Sequence, residues 1–256
     1  MFLKKDSVKR CKLIRQRILE ISKNVSALHI GGSFSSVEII ESIYFNFLKK
    51  KDKFILSKGH AGILQYVVLE IKKKLKKIDL DNYSKDDGML GVHPDYGVPG
   101  IMASTGSLGH GLGITCGMAL KNKKNRYFVL LSDGELHEGS TWESILLIPS
   151  LKIKNITMII DNNNLQSSTW TDITHPTLYP LKEKLISFGW DTFECNGHSN
   201  NELYNAFNIK TIRPKAIIAK TIKGYPVSFM KNNPLWHYRS PNEKEYEIAM
   251  KEIKTL

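Results

Sequence analysis

Apolar positions recur along the chain in two rhythms. Over residues 6–28, Val8, Cys11, Ile14, Ile18, Ile21 and Val25 follow one another at three- and four-residue steps, the spacing of one face of an amphipathic helix. The glycines of "HIGGSFSS" are expected to break that helix, with Ser36 capping a second one over 37–48 whose Ile39, Ile40, Ile43, Tyr44 and Phe47 face inward. "DKFILS" reads as a short strand. "GHAGILQYVVLEIKKKLKK" reads as a helix with a basic far end, the sign of charge a helix C-terminus favours. From Arg126 onward the rhythm shortens. "RYFVLLS", "NITMIID", "WDTFEC" and "PKAIIAKTI" are compact apolar runs, as in strands covered on both faces. Helical patterns fall between them at 139–151, "LYPLKEKLISFG" and "NELYNAFNI". Strands alternating with helices predict a three-layer α/β/α fold around a mostly parallel sheet. No repeat or linker divides the chain, so 1–256 is expected to be a single domain.

Between these two regions, residues 86–117 carry nine glycines and two prolines. That composition predicts a long loop entering a glycine-bearing helix, and long loops in compact domains usually carry function. In an open parallel sheet, ligands bind beyond the carboxyl ends of the strands. Asp133 ends one predicted strand, followed by Gly134, and Asn162, Asn163 and Asn164 end the next. Asp133 and Asn163 lie thirty residues apart, about one βαβ unit. If the two strands are neighbours, a carboxylate and a carboxamide face each other. With a backbone carbonyl and diphosphate oxygens they form the oxygen-rich set that Mg²⁺ takes. Taken alone, the same residues also suit a helix cap and a turn. "LLSDGELHEGSTWE" adds Glu135, His137, Glu138 and Glu143 to this region, with Glu135 and His137 unassigned.

Composition narrows the picture modestly. The 256 residues, 41% hydrophobic, suffice for one sizeable core. The net charge of +12 is spread over lysine-rich stretches at 4–12, 49–53, 72–77 and 121–126, so no nucleic-acid partner is expected and phosphorylated ligands suit the balance better. Cys11, Cys116 and Cys195 form no paired motif, and no stretch has signal-peptide or membrane-span character. A cytoplasmic protein without a membrane partner is expected.

"SDGELHEG…IIDNNNLQ" resembles the thiamine-diphosphate fingerprint. "DKFILSKGHAGILQY", "GVHPDYGVPGIMASTGSLGHGLGITCGMAL" and "NPLWHYRSPNEKEYE" are similar, in order, to segments of the transketolase N-terminal half. The chain looks most like the short transketolase N-terminal sections, which carry only the diphosphate-binding domain. That resemblance implies thiamine diphosphate with Mg²⁺ (or Ca²⁺ or Mn²⁺) as cofactors. It implies Asp133 and Asn163 as side-chain metal ligands and Leu165 as a carbonyl ligand. Gly134 would lie beside the diphosphate and His60 would touch it. Gly106, Ser107 and Leu108 would reach towards the aminopyrimidine. His29, His93 and His237, with His60, would line the substrate funnel. Glu138 and Glu143 match acidic residues where two copies meet, Glu138 bordering the cofactor. His110 stands where the family usually has glutamine, and His137, His175 and His198 are expected at the surface. Ser132 replaces the first glycine of the fingerprint.

The resemblance also implies what lies elsewhere. The glutamate that activates the cofactor belongs to a pyrimidine-binding domain, for which this chain has no room. A separate C-terminal-section chain is expected to supply it in an α₂β₂ assembly, with self-association through the diphosphate domain. The expected reaction is transfer of a two-carbon ketol unit between sugar phosphates. The alternatives are the alpha subunit of a 2-oxo acid dehydrogenase or decarboxylase, and a non-catalytic module that keeps the cofactor fold.

Overall fold

The computed structural model describes residues 2–256. Seven strands form two sheets: β1 (Lys53–Leu56), β2 (Tyr127–Ser132), β3 (Ile156–Asn162), β4 (Leu165–Gln166), β5 (Thr169–Trp170), β6 (Asp191–Asn196) and β7 (Lys215–Lys220). Five of them build a central sheet in the order β1-β2-β3-β7-β6, parallel throughout. β4 and β5 form a separate antiparallel hairpin. Every residue of β2 is buried, which is why its sequence is continuously apolar where a one-sided strand would alternate.

Because side chains point to opposite faces of a strand in turn, each strand feeds two cores. Phe128, Leu130, Ile217 and Ala219 pack with the helices Phe2–Ser22, Gly62–Ile71, Asn200–Asn208 and Glu243–Lys254 on one face. Val129, Leu131, Ala216 and Ile218 pack with Gly111–Lys121, Gly139–Ser150 and Leu181–Ser187 on the other. The α/β/α architecture is therefore present, with β2 and β3 adjacent and Ser132 level with Asp161.

Local details differ from the sequence expectations. The first helix ends at Ser22, so Val25 lies beyond it. "HIGGSFSS" does not break the chain into a loop: Ile30–Ser35 is a fully buried helix. Its glycines serve close approach, since a Cβ on Gly31 would stand 2.7 Å from the Trp236 carbonyl oxygen. Ser36 makes no side-chain cap bond; its hydroxyl donates to Asp161 instead (2.9 Å). The second helix is α-helical only over Val37–Ser42 and widens to a π turn over Ile43–Phe47. The lysine run after Ile71 is a turn, with Lys73 at φ 57°, and Leu75 within it is buried. The helix Glu243–Lys254 opens with a capping box, Asn242 and Glu245 each bonding the other's backbone N–H. Among the described residues no helix is long and apolar enough to cross a membrane.

Candidate active site

Beyond the carboxyl ends of the central strands lies a cleft of about 350 Å³. His29, His60, His93 and His237 line it together with Lys58, Lys223, Gly106, Leu108, Gly134, Glu138, Asn163 and Leu165. Residues separated by two hundred positions in sequence meet here because β1, β2, β3 and β7 all end on one side. A larger, mostly apolar hollow of about 480 Å³ lies between Leu136, Trp142, Leu178 and Phe188; the two spaces share His137.

The histidines cluster around His29. Its ring centre is 5.1 Å from that of His237, 5.5 Å from His60 and 6.3 Å from His93. Burial, with Lys223, Lys58 and other histidines nearby, lowers His29 to about 4 and His237 to about 3. His60 is held well below 6.5, by burial and then by Lys58. These three imidazoles are neutral at pH 7. Lys223 Nζ donates to His237 Nδ1 (3.0 Å). An ammonium has no acceptor, so Nδ1 is the accepting nitrogen and His237 carries its proton on Nε2. His29 Nδ1 is buried without a partner.

The acidic side of the cleft starts at the end of β2. Asp133 is fully buried; it accepts from Gly134 N (2.8 Å) and Asn164 N (2.5 Å). Burial and the neighbouring Asp161 carboxylate raise it to about 7, the response of an anion with too little positive charge close by. Asn163 Oδ1 accepts from Leu165 N (3.1 Å), and its Nδ2 donates to Asp161 Oδ2 (3.2 Å). Asn163 lines the cleft, whereas Asp133 lies buried between the lining residues Ser132 and Gly134, and both keep cap and turn bonds. Gly134 is required by the hairpin: a Cβ there would stand 2.8 Å from Gln166 Cβ.

The loop before the helix Gly111–Lys121 closes another wall. Gly106, at φ 157°, packs against the His93 ring, which a Cβ would approach to 3.0 Å. Gly59 leaves no space either: its Cβ would meet Gly106 N at 2.7 Å. Leu108 lines the cleft, whereas Ser107 is exposed. Glu135, fully buried, holds this loop by accepting from Gly109 N (2.9 Å) and Ser57 Oγ.

Two assignments change. His137 is not a plain surface residue: it lines the cleft, bonds Gln166 Oε1 through Nδ1 and stacks on exposed His175 at 3.9 Å. His198 is also packed inward, its Nδ1 3.1 Å from Glu38 and its Nε2 accepting from Ile222 N (2.9 Å). Glu138 borders the cleft, and both it and Glu143 on the next helix are exposed. His110 is exposed. Sequence reasoning missed Lys58 and Lys223. Both are buried cations just past apolar strands, and that position was their available signal.

A family model described as transketolase, thiamine diphosphate binding domain, matches residues 9–253. The chain is 34% identical over 255 residues to one of the subunits of the apulose-4-phosphate transketolase of Phocaeicola vulgatus, covering 93% of this chain and 90% of that one. It is 29% identical over 262 residues to a 6-deoxy-6-sulfo-D-fructose transketolase subunit of a Clostridium species, covering 96% and 95% respectively. The fold matches the transketolase from Leishmania mexicana with a TM-score of 0.91 at 21% identity, over 97% of this chain. The chain spans 41% of that longer protein.

Proposed function

Since this chain belongs to the transketolase family through its thiamine diphosphate binding domain, we propose that it is the diphosphate-binding subunit of a two-chain, Mg²⁺-dependent transketolase. Residues 1–256 form a single such domain in this reading, and a separate pyrimidine-domain chain completes an α₂β₂ enzyme. The relatives named as subunits are matched over nearly their whole length, which supports the two-chain arrangement. Their substrates, a ketose phosphate and a sulfonated ketose, support a sugar with an anionic tail group as the donor. A 2-oxo acid has no comparable support.

The observation that carries the reading is one cleft beyond a parallel sheet that joins neutral histidines, two buried lysines and Asn163, with Asp133 buried between the lining residues Ser132 and Gly134. The donor set fits the cofactor. Lys223 offers positive charge to a diphosphate, whereas the three N–H groups of Lys58 are taken by Asp161, Gly32 and Ser36. A divalent cation at Asp133 would offset the burial and Asp161 charge that raise its carboxyl. Asn163 Oδ1 and the Leu165 carbonyl supply neutral oxygens, the ligand type Mg²⁺ takes. When bound, thiamine diphosphate supplies the nucleophilic carbon that carries a two-carbon unit from ketose to aldose.

The chain's own residues do the rest. His60 and Gly134 border the diphosphate end, and Gly106, Ser107 and Leu108 form the loop towards the aminopyrimidine. His237 presents Nε2–H to a substrate oxygen. His29 can take or return hydroxyl protons, because a neutral imidazole has both a donor and an acceptor, and His93 stands beside it on the same cleft wall. Calorimetry with thiamine diphosphate and Mg²⁺ tests the binding step: Asp133→Ala should abolish metal-dependent heat. Assay of ketol transfer tests the assembly: the chain alone should be inactive, and a partner carrying the pyrimidine-binding domain should restore turnover. Full activity from the lone chain would contradict the two-chain reading.

A further inference from the structure

Asp161 sits at the end of β3 and is fully buried. Five donors converge on its carboxylate. Oδ2 accepts from Lys58 Nζ (2.5 Å), Ser35 Oγ (2.6 Å), Ser36 Oγ (2.9 Å) and Asn163 Nδ2 (3.2 Å). Oδ1 accepts from Thr221 Oγ1. An ionised carboxylate can only accept. An amide beside it must therefore turn its nitrogen inward and its oxygen outward. The reversed amide would set a carbonyl oxygen against a carboxylate oxygen and leave the nitrogen without this partner.

From this geometry we infer that Asp161 is the positioning residue of the cation site: with Leu165 N–H on Oδ1 (3.1 Å), it fixes the Asn163 amide so that the second lone pair of its oxygen is left for the metal. The inference rests on the cofactor reading above, and it adds a residue that need not touch the cation. Lys58 completes the device. Its ammonium donates to Asp161, to the Gly32 carbonyl (2.8 Å) and to Ser36 Oγ (3.0 Å), so the carboxylate stays paired while it orients the amide. Outer partners of this kind typically change metal affinity about 10- to 100-fold when removed.

The test measures Mn²⁺ binding to the full-length chain, in complex with its pyrimidine-domain partner, by electron paramagnetic resonance with saturating thiamine diphosphate. Asp161→Asn should weaken Mn²⁺ by about tenfold or more, and saturating Mn²⁺ should recover the wild-type bound spectrum and cofactor occupancy. Equal Mn²⁺ affinity in a folded Asp161→Asn protein overturns the inference. A second variant covers the case in which that protein does not fold. Asn163→Asp leaves Asp161 and Lys58 paired but puts two carboxylates where an N–H stood between them. It should bind Mn²⁺ more weakly than wild type despite its extra negative charge. Tighter binding by Asn163→Asp overturns the inference and leaves the cofactor reading intact. Wild-type protein that binds no Mn²⁺ with both the cofactor and the partner present overturns both.

Discussion

Arg15→Met should destabilise the chain by several kcal/mol, with a distinctive pH dependence. Arg15 is fully buried and Glu38 is 5% exposed. The guanidinium grips both Glu38 oxygens (2.6 and 2.8 Å) and donates to the carbonyls of Phe34 (3.1 Å) and Tyr225 (3.2 Å). It thereby ties the helix Phe2–Ser22 to the segments carrying His29 and Lys223. The Arg15 charge and the His198 bond overcome burial and depress Glu38 from 4.5 to about 2. At 1.36 kcal/mol per pH unit, that difference corresponds to about 3 kcal/mol, in line with the roughly 3–5 kcal/mol lost when one partner of a buried pair is removed. A depressed carboxyl contributes stability that is complete above 4.5 and is lost as pH falls from 4.5 through about 2. In Arg15→Met, burial acts on Glu38 without that counter-charge, so the variant loses stability as pH rises above 4.5. Urea unfolding at 25 °C should therefore give a wild-type-to-variant gap larger at pH 7.5 than at pH 5. Arg15→Met/Glu38→Leu should recover part of the loss. A gap below about 1 kcal/mol at pH 7.5, or one that widens towards pH 5, would refute the argument.

Two further outcomes follow from the cleft. Gly31→Ala forces a Cβ to within 2.7 Å of the Trp236 carbonyl oxygen; it should cost about 1–3 kcal/mol in thermal or urea unfolding. It should also lower ketol transfer with the partner by about tenfold or more through displacement of His237, whereas unchanged activity would show that the close approach does not hold the site. His29 and His237 are depressed to about 4 and about 3. The sign is that of a buried neutral base: stability is complete above 6.5 and falls as pH drops from 6.5 through about 4 and then about 3. Thermal unfolding from pH 7 to 4 should be less pH-dependent in His29→Gln/His237→Asn than in wild type, and equal slopes would contradict these shifts.

Much of this architecture was legible because the sheet is buried on both faces. "YFVLLS" and "KAIIAK" have no polar side to hide, so they stand out as strands and their ends mark the cleft. The glycine-rich segment was legible for a similar reason: Gly106 and Gly59 meet backbone or ring atoms where a Cβ would collide. Three features were not. Gly31 and Gly32 look like a helix break, yet the Trp236 backbone that requires Gly31 lies over two hundred residues away. Lys58, Lys223 and Asp161 read as ordinary charges in a lysine-rich chain. Only tertiary contact distinguishes a buried ion pair from a solvated one. His137 went unassigned because its partner Gln166 arrives on the β4–β5 hairpin.

The bonds that meet at Asp161 join residues far apart in the chain: 126 positions to Ser35, 103 to Lys58 and 60 to Thr221. Closing such loops costs entropy before the contacts return any energy. The hub can therefore form only after β1, β3 and β7 have docked, late in folding. Interactions absent from the folding transition state act on the unfolding rate and leave the folding rate nearly unchanged. A ligand held by this cleft would thus lengthen the lifetime of the folded chain without helping it to fold. A refolding chain would acquire its cofactor site as one of its last events.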